Sequence, residues 1–325
     1  ETKIDKGRVG WVAHRVVHGG ARLISPIELT NEVEKEIEDL AELAPVHNPI
    51  ASKIIRATKK ELNNARYFAV FDTAFHATLP LHAYTYPVPQ KWSIEYGIRR
   101  FGFHGINHKY CMHKAAQMLA ADNLKIVSCH LGNGCSLAAI ANSISIDTTM
   151  GFTPMEGLMM GTRSGSIDPG IIFYLHDKMN MKIEDINHAL NNESGLKGVF
   201  GYSKDMREVE RGIITTGPIS MTATLTFEIF IHRLCKEIAA MCASLGGIDV
   251  LIFTGGIGEH SRRVVEDTCR RLAFLGLELE TELETDDATK MSGDAIISKA
   301  GSKPFVLRIK AQEEVSILKD CIDLI

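Results

Sequence analysis

Residues 124–149 read LKIVSCHLGNGCSLAAIANSISIDTT. Two apolar runs, LKIVS before His130 and CSLAAIA after Gly134, flank a small polar hinge, and a third run, ISIDTT, follows Asn142-Ser143. Short apolar runs bounded by turn residues read as strands, so the segment is strand, turn, strand, turn, strand. A meander of this kind differs from a doubly wound parallel sheet, whose strands alternate strictly with helices. The first hinge, His130-Leu131-Gly132-Asn133-Gly134, also has a chemical reading. Glycine lets backbone N–H groups approach an anion closely, and Asn or His at the lip adds a donor. The plainer reading is a tight turn with no ligand. A phosphate site would need a second jaw.

Working outward, VGWVAHRVV (9–17) alternates and predicts a strand ending at His18-Gly19-Gly20. Residues 25–45 have helical periodicity, with Asn31 as N-cap and Glu34 three residues later. A second helix follows His47-Asn48-Pro49, and RYFAVFD (66–72) is a buried strand with an acidic last residue. This β-α-α-β run predicts an α/β domain. Residues 77–103 are Pro- and Tyr-rich and read as irregular, with a domain boundary near 73–80. A helix is expected over 104–120 and one long helix within 217–247. Residues 249–261, DVLIFTGGIGEHS, read strand, Gly-rich turn, helix. A strand pair around 295–309 and a short helix close the chain.

The 325 residues suggest about two domains. Composition is that of a soluble protein, 45% hydrophobic and 23% charged. A net charge of −4 gives no basic excess for nucleic acid or an anionic membrane. No apolar run approaches a membrane span and no signal peptide opens the chain. The seven Cys are odd in number and lack any C-x-x-C, which fits reduced thiols and a cytoplasmic address.

Several residues are out of place for structure alone. Arg15 stands inside an apolar strand, and Arg163 lies in the small and apolar stretch MEGLMMGTRSGSIDPG. Buried Arg needs an anionic partner, so the two suit a clamp on a carboxylate or phosphoryl group, or two structural ion pairs. Asp72 ends its strand, where open α/β sheets bind ligands. TGGIGEH (254–260) is a second candidate anion turn, though neither turn matches a P-loop or dinucleotide fingerprint. His-x-x-x-His occurs at His14/His18 and His104/His108. The first pair lies on a predicted strand, where such residues are ~13 Å apart, and the second lacks the Glu of HExxH, so zinc is disfavoured. His104, at a helix start, better suits a hydrogen-bond donor to transferred charge. Glu313-Glu314 offers carboxylates for Mg²⁺ or a plain helix start. The constellation suits phosphoryl transfer by positioning and charge neutralisation.

Taken together, HRVVHGG (14–20), FDTAFHATLP (71–80), RRFGFHGINHKY (99–110), HLGNGCSLAAI (130–140), DTTMGFTPMEGLMMGTRSGSIDPG (147–170), DMREVE (205–210) and FTGGIGEHS (253–261) resemble the acetate kinase family and its short-chain acyl kinase relatives. The resemblance implies an α/β, two-domain fold of the actin and sugar-kinase superfamily with ribonuclease-H-like sheets, its first domain truncated here. Residues 1–74 would be the remainder of the N-terminal domain, with the closing helix 313–325 packed back on it. Residues 75–312 would be a nucleotide-binding C-terminal domain. The implied reaction is ATP + acetate ⇌ ADP + acetyl phosphate with Mg²⁺ or Mn²⁺, in a homodimer. Propionate or butyrate kinase, or a non-catalytic nucleotide-binding paralogue, are the alternatives.

Carried onto this sequence, Arg15 and Arg163 would hold the acyl carboxylate and the phosphoryl group. His104 would stabilise equatorial charge, and Asp72 would be the essential acid. Val17, Val46, Phe103 and Pro154 would form the acyl pocket. His130, Leu131, Gly132, Asn133 and Gly134 would form the phosphate loop. Asp205, Met206, Arg207, Gly256, Ile257, Gly258, Glu259 and His260 would surround the nucleotide, and Glu313 would hold the metal. Acetate is already ionised at neutral pH, so Asp72 is expected to orient an Arg or metal-bound water and to abstract no proton. Members of the family open with a strand and a Gly-Ser-Ser-Ser-type turn, and the sequence from Glu1 starts after that point. The usual Pro-Thr-Asn-Glu-Glu reads Lys310-Ala311-Gln312-Glu313-Glu314 here.

Overall fold

Two sheets organise the chain, which a computed structural model describes over residues 6–44, 47–280, 293–322 and 324. The first sheet holds β1 (Trp11–Val16), β2 (Ile27–Glu28) and β3 (Arg66–Phe71) in the order β1-β3-β2. β1 runs parallel to β3, and β2 antiparallel to it. The expected pair of helices, α1 (Asn31–Asp39) and α2 (Asn48–Glu61), lies between β2 and β3 in the chain. Val33, Ile37 and Ile55 turn the apolar stripes of these helices onto Val16, Tyr67, Ala69 and Phe71. The expected N-cap at Asn31 is corrected by one residue. Thr30 has the extended backbone of a cap and accepts from the Val33 N–H at 3.4 Å, whereas Asn31 is already helical.

Next come two short helices, α3 (Leu81–Tyr84) and α4 (Gln90–Tyr96), within the stretch read as irregular. After α5 (Gly105–Leu119), the meander is β4 (Ile126–Leu131), β5 (Cys135–Ala141) and β6 (Ile144–Thr148), antiparallel throughout. The helices α6 (Gly170–Met179), α7 (Ile183–Asn192), α8 (Gly195–Phe200) and α9 (Met206–Ile213) lead to α10 (Pro218–Leu245). Pro218 opens α10 and left-handed Gly246 closes it, the positions that suit each residue. β7 (Val250–Thr254) is parallel to β4, and α11 (Gly255–His260) and α12 (Arg262–Arg271) follow it. β8 (Ala295–Ile296), β9 (Phe305–Arg308) and α13 (Glu313–Ile322) complete the described chain. The second sheet has the order β6-β5-β4-β7-β9-β8. The Gly-rich turn expected after β7 is itself helical: α11 starts at Gly255 with no intervening loop.

Strand periodicity sorts the second core. Val127, Cys129, Leu131, Leu137, Leu251 and Phe253 meet α10 on one face. Ile126, Ala138, Ile140, Val250 and Ile252 meet α5 on the other. Strands covered on both sides read as continuous apolar runs, which is why they were legible. α13 returns to the first sheet, where Ile317 and Cys321 pack with Phe68, Val70 and Ile106. All seven Cys are free thiols. Among the described residues, no helix is long and apolar enough to cross a membrane.

Candidate active site

Parallel pairing of β1 with β3 brings their C-terminal ends together, and the Asp72 N–H donates to Val16 O at 3.0 Å. Arg15 Nε and Nη2 both donate to Asp72 Oδ2, at 3.0 and 2.5 Å. Arg15 Nη1 lies 2.9 Å from Glu313 Oε2 at the start of α13. Burial opposes the Arg15 charge, but Asp72 and Glu313 outweigh it and raise the guanidinium pKa. Burial pushes the Asp72 carboxyl up, while Arg15 and His47 pull it back. Glu313 is likewise raised by burial and lowered by Arg15.

Asp72 Oδ1 is buried and has no hydrogen-bond partner among the described residues. An orphaned carboxylate oxygen beside a second carboxylate fits a hard cation. No group of three or more His, Cys, Asp or Glu is gathered for a metal among the described residues. The donor set therefore suits Mg²⁺, which takes one or two protein carboxylates and completes its shell with water and phosphate oxygens.

A second group forms around the β4–β5 hairpin. Gly132 N–H donates to Gly134 O, and Gly161 N–H to Asn133 O, both at 3.0 Å. A Cβ on Gly134 would stand 2.6 Å from Arg163 Nη2 and 3.3 Å from His104 Nε2, so both side chains close on this turn. His104 caps α5 in the left-handed region at φ 56, and the Gly105 N–H after it donates to Asp72 O at 2.8 Å. His104 stacks on His130 with centroids 4.1 Å apart. Burial, then the neighbouring His130, holds the His104 ring far below the usual imidazole range. Burial takes His130 to about 4. Both rings are therefore neutral at pH 7. Arg163 Nη1 donates to Pro154 O at 2.6 Å, and among the described residues it has no carboxylate partner. Burial alone pushes its pKa down.

Two cavities meet at the hairpin. One, of about 580 Å³, is lined by His47, Asn133, Pro154, Met155 and Arg163. The other, of about 390 Å³, is lined by Gly132, Asn133, Asp205, Met206, Gly256 and Ile257. Arg207 and His260 also face this second cavity. Asn133 borders both.

The remaining expected residues divide. Phe103 is buried, and Val17 packs half-buried against the main core. Val46 lies outside the described residues. Leu131 is fully buried in β4 and Gly258 is buried in α11, so neither lines the second cavity. Glu259 turns to the backbone, where Oε1 accepts from the Gly255 and Ala311 N–H groups at 2.9 Å. Asp205 caps α9 and pairs with Arg207 at 2.5 Å. His47 was not singled out from sequence. Burial lowers its pKa, with Arg163 and Arg15 adding to the effect. Its signal, a lone His before Asn-Pro, looks the same as an ordinary helix start.

The model of the Acetokinase family matches residues 2–319. The chain belongs to that family. An acetokinase relative, the acetate kinase of Gloeothece citriformis, is 48% identical over 325 residues, spanning 99% of this chain and 78% of that protein. The solved acetate kinase of Porphyromonas gingivalis is 37% identical with a TM-score of 0.89, over 98% of this chain and 79% of that one. A solved propionate kinase from Francisella tularensis is also 37% identical, with a TM-score of 0.87 over 95% and 78% of the two chains. The acetate kinase of Entamoeba histolytica gives a TM-score of 0.90 at 35% identity, over 97% and 81%. The α/β actin and sugar-kinase fold expected from sequence is the acetokinase fold of these neighbours.

Proposed function

We propose that the protein transfers the γ-phosphoryl group of ATP directly and reversibly to a carboxylate oxygen of acetate. The observation that carries this reading is the shared Asn133, since it makes the hairpin the wall between two cavities. Nucleotide would occupy the cavity beside α9 and α11, and acetate the one beside Arg163. The P–O bond to ADP breaks as the bond from phosphorus to acetate oxygen forms. Acetate enters ionised, so no base is required and no proton moves. Arg163 and the Nε2 edge of His104 would meet charge on the equatorial oxygens, where preorganised donors act most strongly. Arg15 would hold the acyl carboxylate, itself oriented by Asp72 and Glu313. Those two carboxylates would hold Mg²⁺ or Mn²⁺, which when bound neutralises phosphate charge.

With ATP, Mg²⁺ and acetate, the protein is expected to form acetyl phosphate, detected as the hydroxamate. Acetate should exceed propionate in kcat/KM by about 10- to 200-fold, the range one methylene allows. Nucleotide binding without acyl phosphate from either acid would instead favour a non-catalytic paralogue.

The homodimer reading is supported by α6, which has no buried residue and exposes Ile171, Phe173, Tyr174 and Met179. Phe173→Glu should lower the mass by light scattering to that of one chain. An unchanged mass would rule out pairing through this face. Seven free thiols support a cytoplasmic address.

A further inference from the structure

α5 carries His104 at its cap and His108 one turn later, facing β4 and β5. In that hairpin Ser128 pairs with Ala138 and His130 with Ser136, so both serines lie on the face that α5 covers. Both are fully buried. Ser136 Oγ lies 2.9 Å from His104 Nδ1 and 2.8 Å from His108 Nε2. Ser128 Oγ lies 2.9 Å from His108 Nδ1. The His-x-x-x-His spacing thus serves one shared serine.

The geometry imposes a common direction. Ser136 has one proton for two ring nitrogens, so it donates to one and accepts an N–H from the other. Burial keeps both imidazoles far below their usual pKa range, so each ring carries one proton. A neutral ring that donates at one nitrogen must accept at the other. The choice at His104 therefore fixes His108 and Ser128. His104 Nε2 faces the Gly134 turn and Arg163. An anionic phosphoryl group there would be repelled by a lone pair and attracted by an N–H. The neighbouring ring has the same arrangement, with the Asn107 amide donating to His130 Nδ1 at 2.9 Å and leaving the His130 proton on Nε2.

We propose that Ser128, His108 and Ser136 form a one-way hydrogen-bond chain that holds the proton of neutral His104 on Nε2, facing the transferred phosphoryl group. This rests on the function proposed above. Ser128 donates to His108 Nδ1, His108 Nε2–H donates to Ser136 Oγ, and Ser136 donates to His104 Nδ1. Ser136 and His108 are positioning residues that act through His104. Sequence reading missed them because their partners are set by the packing of α5 on the hairpin.

Long-range ¹H–¹⁵N spectra of ¹⁵N-imidazole-labelled protein report the tautomer directly, with His104→Asn assigning the signal. The wild-type ring should be protonated at Nε2. Ser136→Ala should lower kcat roughly tenfold with KM for ATP and acetate within about twofold, and should weaken the Nε2–H preference. Ser136→Thr, which keeps the hydroxyl and suits a strand, should restore most of kcat. A wild-type His104 protonated at Nδ1 overturns the chain, even if both Ser136 variants unfold. So does wild-type kcat in folded Ser136→Ala while His104→Asn is impaired. Wild-type kcat in His104→Asn removes the ring from charge stabilisation and overturns the chain while the reaction stands, whereas absence of acetyl phosphate from the wild type overturns the function proposed above.

Discussion

Arg163→Met should lower kcat by about 10²- to 10³-fold while leaving the melting temperature unchanged or slightly raised. The two effects have one cause. Arg163 is largely removed from water, and among the described residues its partner is the Pro154 carbonyl, with no carboxylate. Its charge is a cost in the free protein, and Met fills similar volume without that cost. In the reaction the same charge faces a phosphoryl group whose negative charge is shifting between oxygens. Arg163→Lys keeps the charge but loses the planar fork, so it should recover only part of the rate. Hydroxamate kinetics together with thermal unfolding check both halves. Wild-type kcat in Arg163→Met would remove the residue from the site, and a large fall in melting temperature would show that its role is structural.

The contrast between Arg163 and Ser136 shows what kind of feature is legible in sequence. A cation in an apolar stretch departs from local expectation, which makes Arg15 and Arg163 legible from the sequence alone. The β4–β5–β6 meander was legible because its runs are short, apolar and punctuated by Gly132-Asn133-Gly134 and Asn142-Ser143. The helical state of Gly255–His260 was hidden. Gly is a poor helix former, and close packing of Gly258 on the Phe253 backbone overrides that preference. Thr30 and Asn31 are adjacent residues of good capping type, and only backbone geometry separates them. Ser128, Ser136 and His47 carry no local signal, because each gains meaning from residues distant in the chain.

Asp72→Asn is the sharper test of the carboxylate corner. The substitution is nearly isosteric, so packing around β3 is retained. If the amide oxygen takes the place of Oδ2, it still accepts from Arg15, although the charge that helps fix the guanidinium is gone. The amide NH₂ then occupies the position of Oδ1, which is buried and has no partner among the described residues. An unpaired donor there replaces an unpaired acceptor, so this exchange by itself changes stability little. It turns an oxygen suited to a cation into a group that repels one. We therefore expect kcat to fall at least about a hundredfold and the Mg²⁺ concentration for half-maximal rate to rise about tenfold. Glu313→Gln should shift the same two quantities less, because Glu313 is partly exposed and Asp72 still holds Arg15. Mg²⁺ titrations of initial rate separate the contributions. If saturating Mg²⁺ restored Asp72→Asn to near wild-type kcat, Asp72 would orient neither the Arg15 fork nor the metal shell in the rate-limiting step.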